Sequence, residues 1–197
     1  MNHAPTSVGF TPTETVAEGD CQDMTESPNS PPGRRILIAP VTGEIGVRIQ
    51  RWREEHDPEQ ALRIPPHATL CYWAPDVDLA LLKQQVRHAF DRPVTARLGA
   101  VRQFGNRDRT LYVEVLETGG LDAARARLYD GTHYQLPGDP TWTWHITCVR
   151  STRGKAIDQL LRAAESLKLD CAWRLDTIAY MELRDKRYMP LAEWSVA

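Results

Sequence analysis

The sequence predicts an α+β fold of two pseudo-duplicated lobes, each an antiparallel sheet with outer helices, with one His-x-Thr strand per lobe lining a central cleft. Three observations predict it. Apolar runs of strand length alternate with segments whose apolar residues recur at helical spacing. The order helix, His-x-Thr strand, helix, further strands occurs twice along the chain. The two triplets, His67-Ala68-Thr69 and His145-Ile146-Thr147, lie 78 residues apart, each inside an apolar run.

The elements follow in order. Arg35–Pro40 reads as a short apolar strand, and Gly43–Glu55 carries Ile45, Ile49 and Trp52 at helical spacing until Asp57-Pro58 ends it. His67–Trp73 is a strand. A helix from about Asp76 to Phe90 places Leu79, Leu82, Val86 and Ala89 on one face, and strands span Val94–Phe104 and Arg109–Leu116. The second half has a helix at Leu121–Tyr129, a Gly- and Pro-rich loop, and the strand Trp142–Arg150 with the second triplet. A helix at Lys155–Leu167, apolar at Ile157, Leu160, Leu161 and Ala164, precedes strands at Ala172–Leu183 and Leu191–Val196.

Composition sets the frame. Residues 1–33 hold five carboxylates, no Lys or Arg, and Pro5, Pro12, Pro28, Pro31 and Pro32 among Ser, Thr and Gly. That is the composition of a disordered acidic tail, with the folded domain over 34–197. The domain then carries 24 basic and 21 acidic residues, a mild positive balance that suits a phosphate ligand. With 42% apolar residues among 197, the chain can build a core. No apolar run has membrane-spanning length, and no basic segment followed by an apolar one opens the chain. Cys21, Cys71, Cys148 and Cys171 make no Cys-x-x-Cys pair, hence neither a zinc site nor a disulfide framework is expected. The expectation is a cytoplasmic monomer without membrane contact, its tail open to a partner the sequence does not name.

In a strand, residues two apart share a face, so each triplet projects an imidazole and a hydroxyl to one side. Two such strands side by side surround one small site with two imidazoles and two hydroxyls. One imidazole can take a proton from a nucleophile while the other gives one to a leaving oxygen, and the hydroxyls can hold non-bridging phosphate oxygens. An imidazole titrates near neutrality, so one can be neutral and its partner protonated with little tuning. Cys71 follows Thr69 at strand spacing and would share its face, though packing is the commoner fate of a cysteine. Cys148 should face away. Arg51, Arg53, Glu54, Glu55 and His56 read as the solvated face of the first helix and His88 and His133 as surface residues, while Arg102, Arg107 and Arg109 around Phe104 could guide a nucleotide backbone but read more readily as a solvated loop.

The segments Ile64-Pro-Pro-His67-Ala-Thr69-Leu70 and Trp144-His145-Ile-Thr147-Cys-Val-Arg150 carry a family resemblance. So does the stretch Arg102-Gln-Phe104-Gly followed by Arg109-Thr-Leu-Tyr-Val-Glu-Val115. Across residues 34–197 the chain resembles the 2H phosphoesterase superfamily, and within it the 2'-5' RNA ligase and cyclic phosphodiesterase-like branch. The resemblance implies phosphodiester chemistry without metal or cofactor. Its substrates would be 2',3'-cyclic phosphates on RNA ends or nucleotides, or related cyclic and 2'-5' linkages, and some relatives join RNA ends. It implies that His67 and His145 are acid and base, His145 activating water and His67 protonating the departing ribose oxygen. Thr69 and Thr147 would bind phosphate and Arg150 would assist substrate binding. Many relatives place an aromatic residue on the first strand where Leu37 and Ile38 stand here, which leaves Trp73, Phe104 and Tyr72 as candidates to stack on a base. A non-catalytic nucleotide- or RNA-binding module that keeps the fold is the alternative reading.

Overall fold

The computed structural model describes residues 33–73, 78–105, 107–129 and 143–196. The predicted tail, apart from Gly33, lies outside the described residues. The described residues form eight strands: β1 (Arg35–Pro40), β2 (His67–Trp73), β3 (Thr95–Gln103), β4 (Leu111–Leu116), β5 (His145–Val149), β6 (Cys171–Arg174), β7 (Thr177–Arg184) and β8 (Arg187–Ser195). The helices are α1 (Gly43–His56), α2 (Pro58–Arg63), α3 (Leu79–Ala89), α4 (Gly119–Tyr129) and α5 (Ile157–Ala164), the last tightening into a 3-10 turn at Glu165–Leu167.

The strands form one antiparallel sheet in the order β6-β3-β4-β5-β2-β1-β7-β8. The α+β class is as predicted, and the two expected sheets turn out to be continuous. Each half has four strands, and the halves meet where β2 pairs with β5 at Ala68 and Ile146. One His-x-Thr strand is the inner strand of each half.

Alternation divides the sheet into two faces. Leu37, Ala68, Leu70, Leu98, Val113 and Ile146 point into a core built with Ile49 and Trp52 of α1, Leu82 and Val86 of α3, Leu121 and Leu128 of α4, and Ala164 of α5. These helices therefore cover the face turned away from His67 and His145. On the opposite face a second cluster of Ile36, Ile38, Ala179, Met181, Leu183 and Tyr188 closes against Ile64, just past α2. Gly46 lets the first turn of α1 pass close to β1, since a Cβ there would collide with the Val41 carbonyl.

Three departures from the sequence reading have local causes. Asp57-Pro58 does end α1, but it also starts α2: Pro58 stands at its first position and Asp57 caps it by accepting from Gln60 N. The run Ala172–Leu183 is two strands. Leu175 N donates to Val94 O in one half while Asp176 O accepts from Val196 N in the other, so the chain crosses between halves at that peptide. The last strand begins four residues earlier than predicted, because β7 and β8 are joined through Asp185 and Lys186, both with positive φ as tight hairpins require. Pro190 is tolerated within β8 because β8 is an edge strand.

Candidate active site

The site is built from register. Ala68 faces Ile146 across β2 and β5, and both are fully buried on the helix side. One residue to either side, the same antiparallel register sets His67 against Thr147 and Thr69 against His145. All four are partly exposed, on the face opposite the helices. Two imidazoles and two hydroxyls thus occupy the corners of one cross-strand square.

Each imidazole is held in the same way. His67 Nδ1 lies 2.7 Å from the carbonyl of Pro65, and His145 Nδ1 lies 2.8 Å from that of Thr143. A carbonyl only accepts, so Nδ1 carries a proton in both rings and Nε2 is left for chemistry. The approach to His67 is stiffened by two prolines, with Pro66 O accepting from Val41 N at 2.8 Å. Both imidazoles have depressed pKa values. His67 is lowered to about 4, first by desolvation and then by the charges of Arg53 and His145, against the opposing pull of the Pro65 carbonyl. His145 is lowered by desolvation, against the pull of Thr143. Both rings are therefore neutral at pH 7 in the free protein, rather than one neutral and one protonated.

Each His-x-Thr strand bulges one residue past its threonine. Along β2 the pairing with β1 slips between Thr69 and Cys71, leaving Leu70 as the extra residue, and along β5 the pairing with β4 slips between Thr147 and Val149, at Cys148. Arg125 of α4 donates to the Leu70 carbonyl at 3.2 Å. The slip corrects the expectation for Cys71. Its thiol is turned into the core beside Tyr129 and Arg125 of α4, because the bulge resets the alternation. Cys148 faces the helix-side core, away from the His-Thr face as expected, and burial pushes its thiol up to about 12.

The neighbouring strand supplies residues that sequence reasoning missed. Tyr112 pairs with Thr147 and Glu114 with His145, so both stand on the His-Thr face of β4. Phe104, a predicted substrate contact, stacks on Tyr112 at 3.9 Å between centroids and meets His145 edge-on at 5.0 Å. Arg102, paired with Tyr112, binds Glu114 at 3.2 Å. The alternation Leu-Tyr-Val-Glu-Val over 111–115 marks Tyr112 and Glu114 as sharing a face, but which strand lies beside β5 is not written in it. Arg53 is a second omission and a correction: it is fully buried in α1, donating to Gln60 O at 2.9 Å and to Gln50 Oε1 at 3.3 Å.

Arg150 lies just beyond β5, half-buried, its backbone N–H bound by Asp57 Oδ2 at 2.7 Å and its carbonyl by Thr110 at 2.7 Å. Asp57, the cap of α2, thereby ties the α1–α2 corner to the end of the second His-x-Thr strand. Tyr72 and Trp73 end β2, and their side chains lie outside the described residues. Among the described residues no three His, Cys, Asp or Glu side chains group as a metal site, and no helix is long and apolar enough to cross a membrane.

The family model of the 2'-5' RNA ligase superfamily matches residues 41–187, a span that contains both His-x-Thr strands and the β3–β4 segment between them. The chain belongs to the 2'-5' RNA ligase superfamily. No curated protein sequence matches this superfamily member. Among solved structures, a phosphoesterase aligns over 84% of this chain and 99% of its own with a TM-score of 0.50 at 20% identity. E. coli LigT complexed with phosphate aligns over 84% and 98% with a TM-score of 0.50 at 19% identity. LigT complexed with 3'-AMP aligns over 83% and 98% with a TM-score of 0.49 at 18% identity. At these identities the likeness is one of fold. Membership supports a phosphoesterase activity of the two-histidine type.

Proposed function

We propose that this superfamily member is a metal-independent phosphodiesterase that opens 2',3'-cyclic phosphates, or related cyclic and 2'-5' linkages, on RNA ends or nucleotides. The observation that carries the reading is the cross-strand square: each histidine opposite the other strand's threonine, with Nε2 free in both rings. A pure binding module has no need of two matched imidazoles held in the same tautomer. The ligand class fits as well, since LigT, of the same fold, binds phosphate.

The reaction follows from the square. A phosphate seated between β2 and β5 accepts hydrogen bonds from the Thr69 and Thr147 hydroxyls on its non-bridging oxygens. Neutral His145 takes a proton from water through Nε2 as the water oxygen attacks phosphorus. His67, protonated at Nε2, gives its proton to the ribose oxygen as the phosphorus–oxygen bond breaks. The product is a phosphomonoester. In the free protein His67 holds a proton only below about pH 4. The bound phosphodiester anion beside the ring raises that value, so substrate itself charges the acid. The reverse direction exchanges the roles. Cys71, Cys148 and Cys171 are free thiols, in keeping with a cytoplasmic setting.

The test is hydrolysis of a panel of 2',3'-cyclic nucleotides in excess chelator by wild type, His67→Ala and His145→Ala, with the monophosphate isomer identified. The expected outcome is turnover to a single isomer, falling about 10²- to 10⁴-fold in each variant. A folded wild type that binds nucleoside monophosphates but turns over neither the panel nor a cyclic-ended oligonucleotide would instead be a binding module.

A further inference from the structure

Strands β2 and β5 carry the two triplets, yet they are joined to each other only briefly. Among the described residues a single register pair, Ala68 with Ile146, links them, against six pairs between β1 and β2 and four between β4 and β5. The slip against β1 leaves Leu70 as the unpaired extra residue, and its backbone acceptor calls for a partner outside that ladder. Strand pairing alone therefore holds the two triplets together weakly.

Helix α4 supplies that partner from the face opposite the square. Continuing the register of Ala68 and Ile146 by two residues sets Leu70 against Trp144, one step past Thr69 and His145. Arg125 donates through Nε to the Leu70 carbonyl at 3.2 Å and lies over the Trp144 ring at 5.9 Å and the Tyr129 ring at 5.7 Å. One guanidinium thus engages the residue after one hydroxyl and the residue before the other strand's imidazole. Trp144 is bound to the same helix a second time, its Nε1–H donating to Asp122 Oδ1 at 2.6 Å, and Thr118 Oγ1 donates to Asp122 Oδ2 at 2.8 Å. Asp122, Arg125 and Tyr129 share a face because they recur at i, i+3 and i+7. Arg127 holds the helix to the end of α3 through two bonds to Ala89 O, at 2.7 and 3.1 Å. Burial draws the Arg125 guanidinium down from its ordinary pKa, against the pull of Tyr129, Cys71 and Asp122. A cation kept at that cost is no ordinary surface charge.

We propose that Arg125 is a positioning residue that clamps β2 to β5 from beneath the square and so fixes the spacing of the two His-Thr triplets. Asp122 is its counterpart, gripping Trp144 while Arg125 grips Leu70. An arginine suits the task better than a lysine, since a planar fork can donate to a carbonyl while its face lies on an indole. The proposal deepens the phosphodiesterase reading, on which only its kinetic consequence rests. Reacting groups shared between two strands need both strands in place, and a misplacement of about 1 Å can cost about 100-fold in rate.

The experiment compares wild type, Arg125→Met, Arg125→Lys and Leu128→Ala, the last a fully buried core position on the same helix outside the clamp, each at the same interval below its own Tm. On a 2',3'-cyclic nucleotide, Arg125→Met should lower kcat about 10- to 100-fold with a smaller change in KM. Arg125→Lys should recover part of that loss, and Leu128→Ala should stay within about twofold of wild type. Equal kcat in Arg125→Met and Leu128→Ala overturns the proposal, because loosening of the helix then accounts for the whole effect. Should Arg125→Met fail to fold, Trp144→Phe, which removes the N–H given to Asp122, takes its place and should lower kcat several-fold; an unchanged kcat there overturns the proposal too. A second arm needs no turnover. Hydrogen exchange at the Ala68 and Ile146 amides should run about tenfold or more faster in Arg125→Met than in Leu128→Ala, with the Tyr180 amide, paired with β1 through Leu37, alike in both. Equal exchange at the junction refutes the clamp. A wild type that turns over no cyclic nucleotide would refute the phosphodiesterase reading instead, and the exchange arm would then decide the clamp by itself.

Discussion

Strands β2 and β5 present the same triplet in the same way, yet the strands beside them have little in common. Tyr112 stands across from Thr147 and Glu114 across from His145, with Phe104 edge-on to the ring. The equivalent positions on the other side are Ile38 across from Thr69 and Pro40 across from His67, and Ile38 is fully buried in the apolar cluster with Ile36 and Met181. Only His67 has a buried cation, Arg53, among the groups that lower its pKa. The backbone duplicates the His-Thr arrangement, whereas its surroundings differ: the β1 side packs it among buried aliphatic residues and the β4 side borders it with aromatic and charged side chains.

Each prediction probes that division, and the largest effects come from the shared part. His67→Ala and His145→Ala should each lower kcat about 10²- to 10⁴-fold, and the double variant should be little worse than the poorer single one, because the pair acts as a unit. Additive losses in single-turnover kinetics would mean that the two halves work independently. Thr69→Ala and Thr147→Ala should cost about 10- to 1000-fold in kcat/KM, by comparison with single oxyanion donors. A large inequality between them would carry the asymmetry into the square itself.

Smaller effects should separate the two sides. Phe104→Ala should raise KM about tenfold with little change in stability, in line with one base–aromatic contact. Ile38→Ala should do the opposite, leaving KM near wild type and destabilising the fold by about 2–4 kcal/mol in denaturant melts. The subtlest is electrostatic. Because both imidazoles are depressed, kcat/KM, which reports the free protein, should peak below pH 6.5 and fall on the alkaline side as His67 loses its proton. The kcat optimum, read with phosphate bound, should lie at higher pH. Arg53→Met should move one limb of the kcat/KM profile up by about half a unit to one unit and leave the other in place. An NMR titration should place the wild-type His67 midpoint at about 4.

Much of this architecture is legible in the sequence, for reasons that also explain what is not. The bounds of β1 and β2, and the shared face of the imidazole and hydroxyl within each triplet, can be read because strand alternation is local, whereas the pairing of β2 with β5 is long-range. Tyr112 escaped because its importance depends on β4 lying beside β5, a long-range pairing. Arg53 sits among charged neighbours in α1, and nothing local distinguishes a buried guanidinium from a solvated one. The run Ala172–Leu183 is apolar throughout, so the crossover at Leu175-Asp176 leaves no mark in composition. Asp57-Pro58 reads as a stop although the same two residues can begin the next helix.

The paired bulges carry one more consequence. Without them, Cys71 would stand two residues beyond Thr69 on the same face, a thiol within reach of two imidazoles and a reactive substrate. With them, the rhythm of each strand breaks immediately after its hydroxyl, and Cys71 and Cys148 are both almost wholly enclosed. Among the described residues, oxidants and alkylating agents that reach the His-Thr face meet no cysteine of either strand. On β2 the one-residue slip, and on β5 the plain alternation of the strand, keep a thiol away from the face that carries the imidazoles.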